Sequence, residues 1–258
     1  MSYCYREKRY ICGEFEEVQI FPVFPCHTRG GRRSRKRKPS SEVQKKLNER
    51  NAQRKLSRLV HTNFKNRDYA VTFTYTNDCR PEDEQSAKRD IQNFMRKARR
   101  IYKKADKELK YIWVLECSEK TGKIHFHAVM SGGVDRTQLE EMWGKGYANI
   151  QSLKFDENGV EGIVHYFLKD KLTYRRWSCS KNLEKPKEKQ NDSRITYRRA
   201  KKLYEDSNCK EDFKNTYPHF SEVFGKCEIL EIYAQQNEVN GEFYIGIRLR
   251  KVGRKQRL

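Results

Sequence analysis

Two histidines flank one phenylalanine at His125-Phe126-His127, inside a segment, Lys123 to Met130, that reads as a strand. Alternation along a strand sends both imidazoles to one face and Phe126 into the packing on the other, which makes a paired nitrogen clamp. Upstream, Tyr111 to Cys117 reads as a second strand, and Thr121-Gly122 between the two is a hairpin signal. With Thr121-Gly122 as a two-residue loop, Lys120 faces Lys123, and Glu116 falls directly opposite His127 on the imidazole face. A carboxylate and two imidazoles converging from adjacent strands form a 2-His-1-carboxylate set with open positions, suited to Mn²⁺ or Mg²⁺. Two surface histidines on an edge strand would give the same H-x-H pattern; the opposed Glu116 favours the metal set.

A second pair with chemical potential is Tyr166 and Lys169, three residues apart in a segment, Gly162 to about Leu172, that reads as a helix. That spacing puts phenol and ammonium on one helical face. A phenol, with an ordinary pKa of ~10, needs nearby positive charge or a base to act as a nucleophile, and Lys169 with a metal would supply the charge.

These groups need a scaffold, and the pattern supplies one from Tyr69 onward. Tyr69 to Thr76 is a β-branched and aromatic run closed by Asn77, Asp78 and Pro81. Ala87, Ile91, Phe94, Met95, Ala98, Ile101 and Tyr102 then recur at three- and four-residue intervals, with cations that include Arg96, Arg99 and Arg100 on the remaining surface. Asp135 to Trp143 reads as a short helix and Tyr147 to Phe155 as a strand. The order β-α-β-β-α-β-α predicts an α+β fold, an antiparallel sheet with helices packed on it. Three regions are expected: a basic arm and helix over 1–65, the sheet domain over 66–177, and an accessory region over 178–258. In the last, Arg194 to Tyr204 reads as a basic helix, and Cys227 to Val252 as a hairpin around Asn240-Gly241.

Composition narrows the partner. Lys plus Arg number 56 against 35 Asp plus Glu, a formal charge of +21, which calls for a polyanion such as nucleic acid. An aromatic content of 12% argues against a wholly disordered basic tail. Arg32, Arg33, Arg35, Lys36, Arg37 and Lys38 crowd an arm where no core can form, which makes it a candidate DNA-backbone contact ahead of a polar helix capped by Ser40 or Ser41. No window resembles a membrane span or an export signal, so a cytoplasmic protein is expected. Eight cysteines without a C-x-x-C pair read as ordinary thiols, and the lack of a Gly-x4-Gly-Lys-Ser/Thr loop argues against ATP hydrolysis.

Val71-Thr72-Phe73-Thr74-Tyr75, then a helix, then Glu116 with His125-Phe126-His127, then Tyr166-x-x-Lys169 resembles the three ordered motifs of the HUH endonucleases. The likeness is greatest to rolling-circle replication initiators of bacterial plasmids, prophages and microvirus-like phages, and covers roughly residues 40 to 185. It implies an RRM-like palm, Glu116, His125 and His127 as ligands of Mn²⁺ or Mg²⁺, and Tyr166 assisted by Lys169 as the catalytic pair. Where two-tyrosine initiators carry a second tyrosine, this chain has Asp170, so the resemblance implies a single-tyrosine enzyme; His165 and Tyr174 lie off the motif. It further implies single-stranded or hairpin origin DNA as substrate, host helicase and polymerase as partners, and a place in the bacterial cytoplasm at the nucleoid. Relaxases and single-tyrosine transposases share this chemistry, and a non-catalytic basic nucleic-acid-binding protein would share the charge.

Overall fold

The computed structural model describes residues 4–24, 42–118, 121–156, 159–160, 162, 164, 177–208, 218–225, 227–238 and 240–251. In chain order the elements are β1 (Cys4–Cys12), β2 (Phe15–Val23), α1 (Glu42–Asn63), β3 (Tyr69–Thr74), α2 (Glu84–Lys104), β4 (Tyr111–Cys117), β5 (Ile124–Met130), α3 (Arg136–Trp143), β6 (Ala148–Ser152), β7 (Ser178–Cys179), β8 (Lys187–Asn191), α4 (Tyr197–Asn208), α5 (Pro218–Phe224), β9 (Cys227–Gln236) and β10 (Phe243–Lys251). The fold is α+β, with two antiparallel five-stranded sheets in two compact units: Lys46–Lys185, and Met1–Lys45 joined with Pro186–Leu258.

In the first unit the strand order is β6-β3-β5-β4-β7. Alternation sorts the residues of β3 and β5. Val71, Phe73, Phe126, Ala128 and Met130 pack against Ala87, Ile91, Phe94, Met95, Ala98 and Tyr102 of α2, as the periodicity of that helix predicts. Each of the large side chains in this layer contributes about 2 kcal/mol by leaving water. Asp83 caps α2, its Oδ1 accepting from the Ser86 amide at 2.7 Å, and that bond holds its carboxyl below the usual carboxylate range. Against the other face, Leu56, Val60 and Phe64 of α1 pack on Ile112, Val114 and Val129. His61 of α1 fixes this side: its Nε2 accepts from the Val160 amide at 3.3 Å, so its Nδ1–H donates to the Ser57 carbonyl at 2.9 Å.

The second unit has strand order β8-β1-β2-β10-β9, with Ile195, Ala200, Leu203, Phe220 and Val223 packed on Tyr5, Val18, Ile20 and the inward residues of β10. Tyr5 OH donates to Glu242 Oε2 at 2.5 Å and accepts from the Phe243 amide at 3.0 Å. This unit corrects the division into 1–65, 66–177 and 178–258. The first 24 residues supply a hairpin rather than part of an arm, and its pairing partners, β8 and β10, come from the far end of the chain. The polar stretch around Trp177 to Lys189 holds β7 and the start of β8. Ser40, Ser41 and the basic run Arg29 to Lys38, with Arg32, Arg33, Arg35, Lys36, Arg37 and Lys38, lie outside the described residues.

Candidate metal centre

β5 lies between β3 and β4, so its two histidines stand over the middle of the sheet. Phe126 faces α2, fully buried, with Trp113 perpendicular to it at 5.5 Å between ring centres. His125 and His127 face the other way, their rings perpendicular and 5.0 Å apart. Glu116 Oε2 is 3.0 Å from His125 Nε2 and 2.9 Å from His127 Nε2. Of the three, His127 is buried, and His125 and Glu116 are partly exposed.

The register differs from the expected one. Glu116 pairs with His125, and Val114 with His127. The turn is longer than Thr121-Gly122, because the Ser118 amide donates to the Lys123 carbonyl and the Gly122 amide to the Ser118 carbonyl. Gly122, at φ 59°, takes the left-handed position this turn requires. The displacement is two residues, and an even displacement returns every side chain to its own face. Glu116 therefore still meets both imidazoles, one directly across the strand pair and the other on the diagonal.

The three donor atoms lie within 4.8 Å of one another, and they form the single group of this kind among the described residues. Neighbouring donors on an octahedral ion with bonds of about 2.1 Å stand about 3 Å apart, close to the two separations seen here. The donor set of two imidazoles and one carboxylate fits a divalent cation. Thr72 on β3, the Cα partner of His127, brings its Oγ1 to 3.2 Å from His127 Nδ1, so the imidazole is held from behind while Nε2 points at the carboxylate. Neither Thr72 nor its orientation toward the histidine was legible as a functional feature in the sequence; the signal was only its place in a β-branched run.

The other expected site residues are not gathered here. Arg96, Arg99 and Arg100 are exposed on α2, which covers the sheet face away from the triad. Tyr166 and Lys169 lie outside the described residues, as do His165, Asp170 and Tyr174; of the helix expected there, Gly162 and Val164 are helical. Tyr75 packs on the α2 side with its hydroxyl 3.3 Å from Asp90 Oδ2, and burial together with that carboxylate pushes its phenol well above the ordinary range. It is held as a phenol, not a phenolate. Cys4, Cys12, Cys79, Cys117, Cys179 and Cys227 are free thiols. No helix among the described residues is long and apolar enough to cross a membrane.

Comparison with curated proteins gives no match, and neither does comparison with solved structures. The family of replication-associated proteins that comprises ORF2 and the gene 2 protein does match, over residues 68–171, and it is to this family that the segment carrying Glu116, His125 and His127 belongs.

Proposed function

We propose that this protein initiates rolling-circle replication by nicking single-stranded or hairpin origin DNA. The observation that carries the reading is the convergence of Glu116, His125 and His127 on one face of the sheet, within a segment that matches replication-associated proteins. Glu116, His125 and His127 would hold the cation. When bound, a divalent ion of the Mn²⁺ or Mg²⁺ type supplies positive charge to a non-bridging oxygen of the scissile phosphate. Tyr166 supplies the nucleophile: its phenolic oxygen bonds to phosphorus, the bond from phosphorus to the 3′ oxygen breaks, and the departing oxygen takes up a proton as a 3′-hydroxyl. Lys169, three residues on, favours the phenolate and steadies the phosphate.

The product is a 5′-phosphotyrosine and a free 3′-hydroxyl. Because the adduct keeps a phosphodiester bond, a later 3′-hydroxyl can displace the tyrosine and reseal the strand. The free 3′ end suits a host polymerase, and unwinding falls to a host helicase. With its charge of +21, the chain binds the phosphate backbone through the arm and through cations such as Arg96, Arg99 and Arg100. A bacterial cytoplasm, at the nucleoid, is where such a reaction belongs.

The test is adduct mapping. Wild-type protein incubated with Mn²⁺ and labelled single strands of the parent replicon should carry DNA covalently on Tyr166. Tyr166→Phe should lose the adduct and bind DNA near the wild-type level. A persisting adduct on Tyr174 would move the nucleophile, and cleavage undiminished in EDTA would remove the metal from the reaction.

A further inference from the structure

The face that carries the triad continues to the edge of the sheet. Thr74 is the Cα partner of His125 and Thr72 that of His127, while on β6 Asn149 is the partner of Thr72. Beyond the first residue of β6 the pairing goes on, because the Thr74 amide donates to the Tyr147 carbonyl at 2.8 Å and the Thr76 amide to the Lys145 carbonyl at 3.0 Å. Two rows thus cross four strands on one face. One runs Glu116, His125, Thr74, Tyr147; the other runs Val114, His127, Thr72, Asn149. Gly146 makes the approach possible, since a Cβ there would stand 2.4 Å from the Thr74 carbonyl oxygen.

Tyr147 is 76% exposed, the most exposed large apolar side chain among the described residues. Asn149 is exposed as well, and Ala148 between them packs toward the core on the opposite face. Neither the ring of Tyr147 nor the carboxamide of Asn149 is used in holding the fold. Edge strands are commonly guarded by charged side chains. This one presents a ring and a carboxamide, two strands away from His125, or on the order of 10 Å at the usual strand spacing.

We infer that Tyr147 and Asn149 form a nucleobase subsite for the single strand beside the scissile phosphate. The ring of Tyr147 stacks on one unpaired base, and the Asn149 carboxamide hydrogen-bonds with the edge of that base. Cations alone would hold any phosphate chain; a ring and an amide aligned with the triad fix which nucleotide lies over it. The inference rests on the triad being the place where a phosphodiester is held, but stacking requires neither metal nor nucleophile.

The experiment is therefore a binding measurement in EDTA. Full-length protein is titrated by fluorescence anisotropy into short single-stranded oligonucleotides from the origin of the parent replicon, with one abasic position stepped along the strand. Wild-type protein should lose at least about fivefold in affinity at one position. Tyr147→Ala should show the same loss on the intact strand and no further loss at that position, and Tyr147→Phe should behave as wild type. Asn149→Ala should reduce the preference for the base found there. If Tyr147→Ala binds like wild type, or responds to the same abasic position as wild type does, the subsite is overturned. Such non-additivity without any covalent adduct would overturn the nicking reading and leave the subsite standing; adduct formation without it would do the reverse.

Discussion

Thr72 and His127 face each other on adjacent strands, with the threonine hydroxyl 3.2 Å from Nδ1 of the imidazole. For Nε2 to ligate a cation, Nδ1 must carry the proton and donate it to Oγ1, so the threonine sets both the ring's orientation and its tautomer. Thr72→Val, which keeps the β-branched shape and removes the acceptor, should weaken Mn²⁺ binding by about 10- to 100-fold, and Thr72→Ser should restore most of it. Manganese titration followed by electron paramagnetic resonance measures this directly. Equal affinities for wild type and Thr72→Val would make the interaction a packing detail.

Within the triad, a graded response is expected. His125→Ala and His127→Ala each leave two ligands and should lose both tight Mn²⁺ binding and cleavage. Glu116→Ala should raise the metal requirement, and Glu116→Gln should be milder because the amide oxygen still coordinates. Cleavage against metal concentration separates these variants. Wild-type behaviour of both Glu116 variants at limiting Mn²⁺ would remove the carboxylate from the site.

Asp83 gives a prediction about pH. Its carboxyl is held below the ordinary value of 3.8 by the Ser86 amide, so its charged form is preferred in the folded state. The sign follows: the stabilisation is full above the unfolded value and is lost as pH falls through the depressed folded one. Wild type should melt above Asp83→Ala at pH 7, and the gap should narrow as the medium is taken well below pH 3.8. A gap of constant size would assign the effect to helix propensity alone.

The basic run Arg29 to Lys38 yields a prediction about salt. Its deletion should lower affinity for single strands of any sequence and flatten the log-log dependence on salt by about 0.7 for each phosphate that is no longer neutralised. Identical slopes with and without the run would give it another purpose.

Elements with one buried face were legible in the sequence. The run Tyr69 to Thr74 and the stripe of α2 stand where alternation and the helical period put them, since burying one face leaves little freedom in either pattern. The triad was legible for a related reason: the turn is longer than its Thr121-Gly122 signal implies, but a period of two tolerates an even error in register. Tyr147 and Asn149 share that period and were hidden only because the spacing of residues along β6 says nothing about which strand it pairs with. The hairpin of β1 and β2 was lost among charges. Arg6, Lys8, Glu16 and Glu17 obscure its alternation, and the groups that neutralise charges on β1, Asp192 for Arg6 and Arg194 for Glu7, are nearly two hundred residues away. No local window contains both members of such a pair.

The second sheet is stitched from both ends of the chain, while the unit that holds the triad is continuous. Some 220 residues separate β2 from the strand that pairs with it, β10. At about 5–20 residues per second of synthesis, the N-terminal hairpin waits roughly 10 to 40 s on the ribosome for its central neighbour, with the edge of β2 unpaired throughout. The triad-bearing unit can close on itself during that interval. A nascent chain thus owns its chemistry before it owns its second sheet, and an interrupted synthesis would release a fragment with the cutting machinery assembled and a bare strand edge exposed to aggregation.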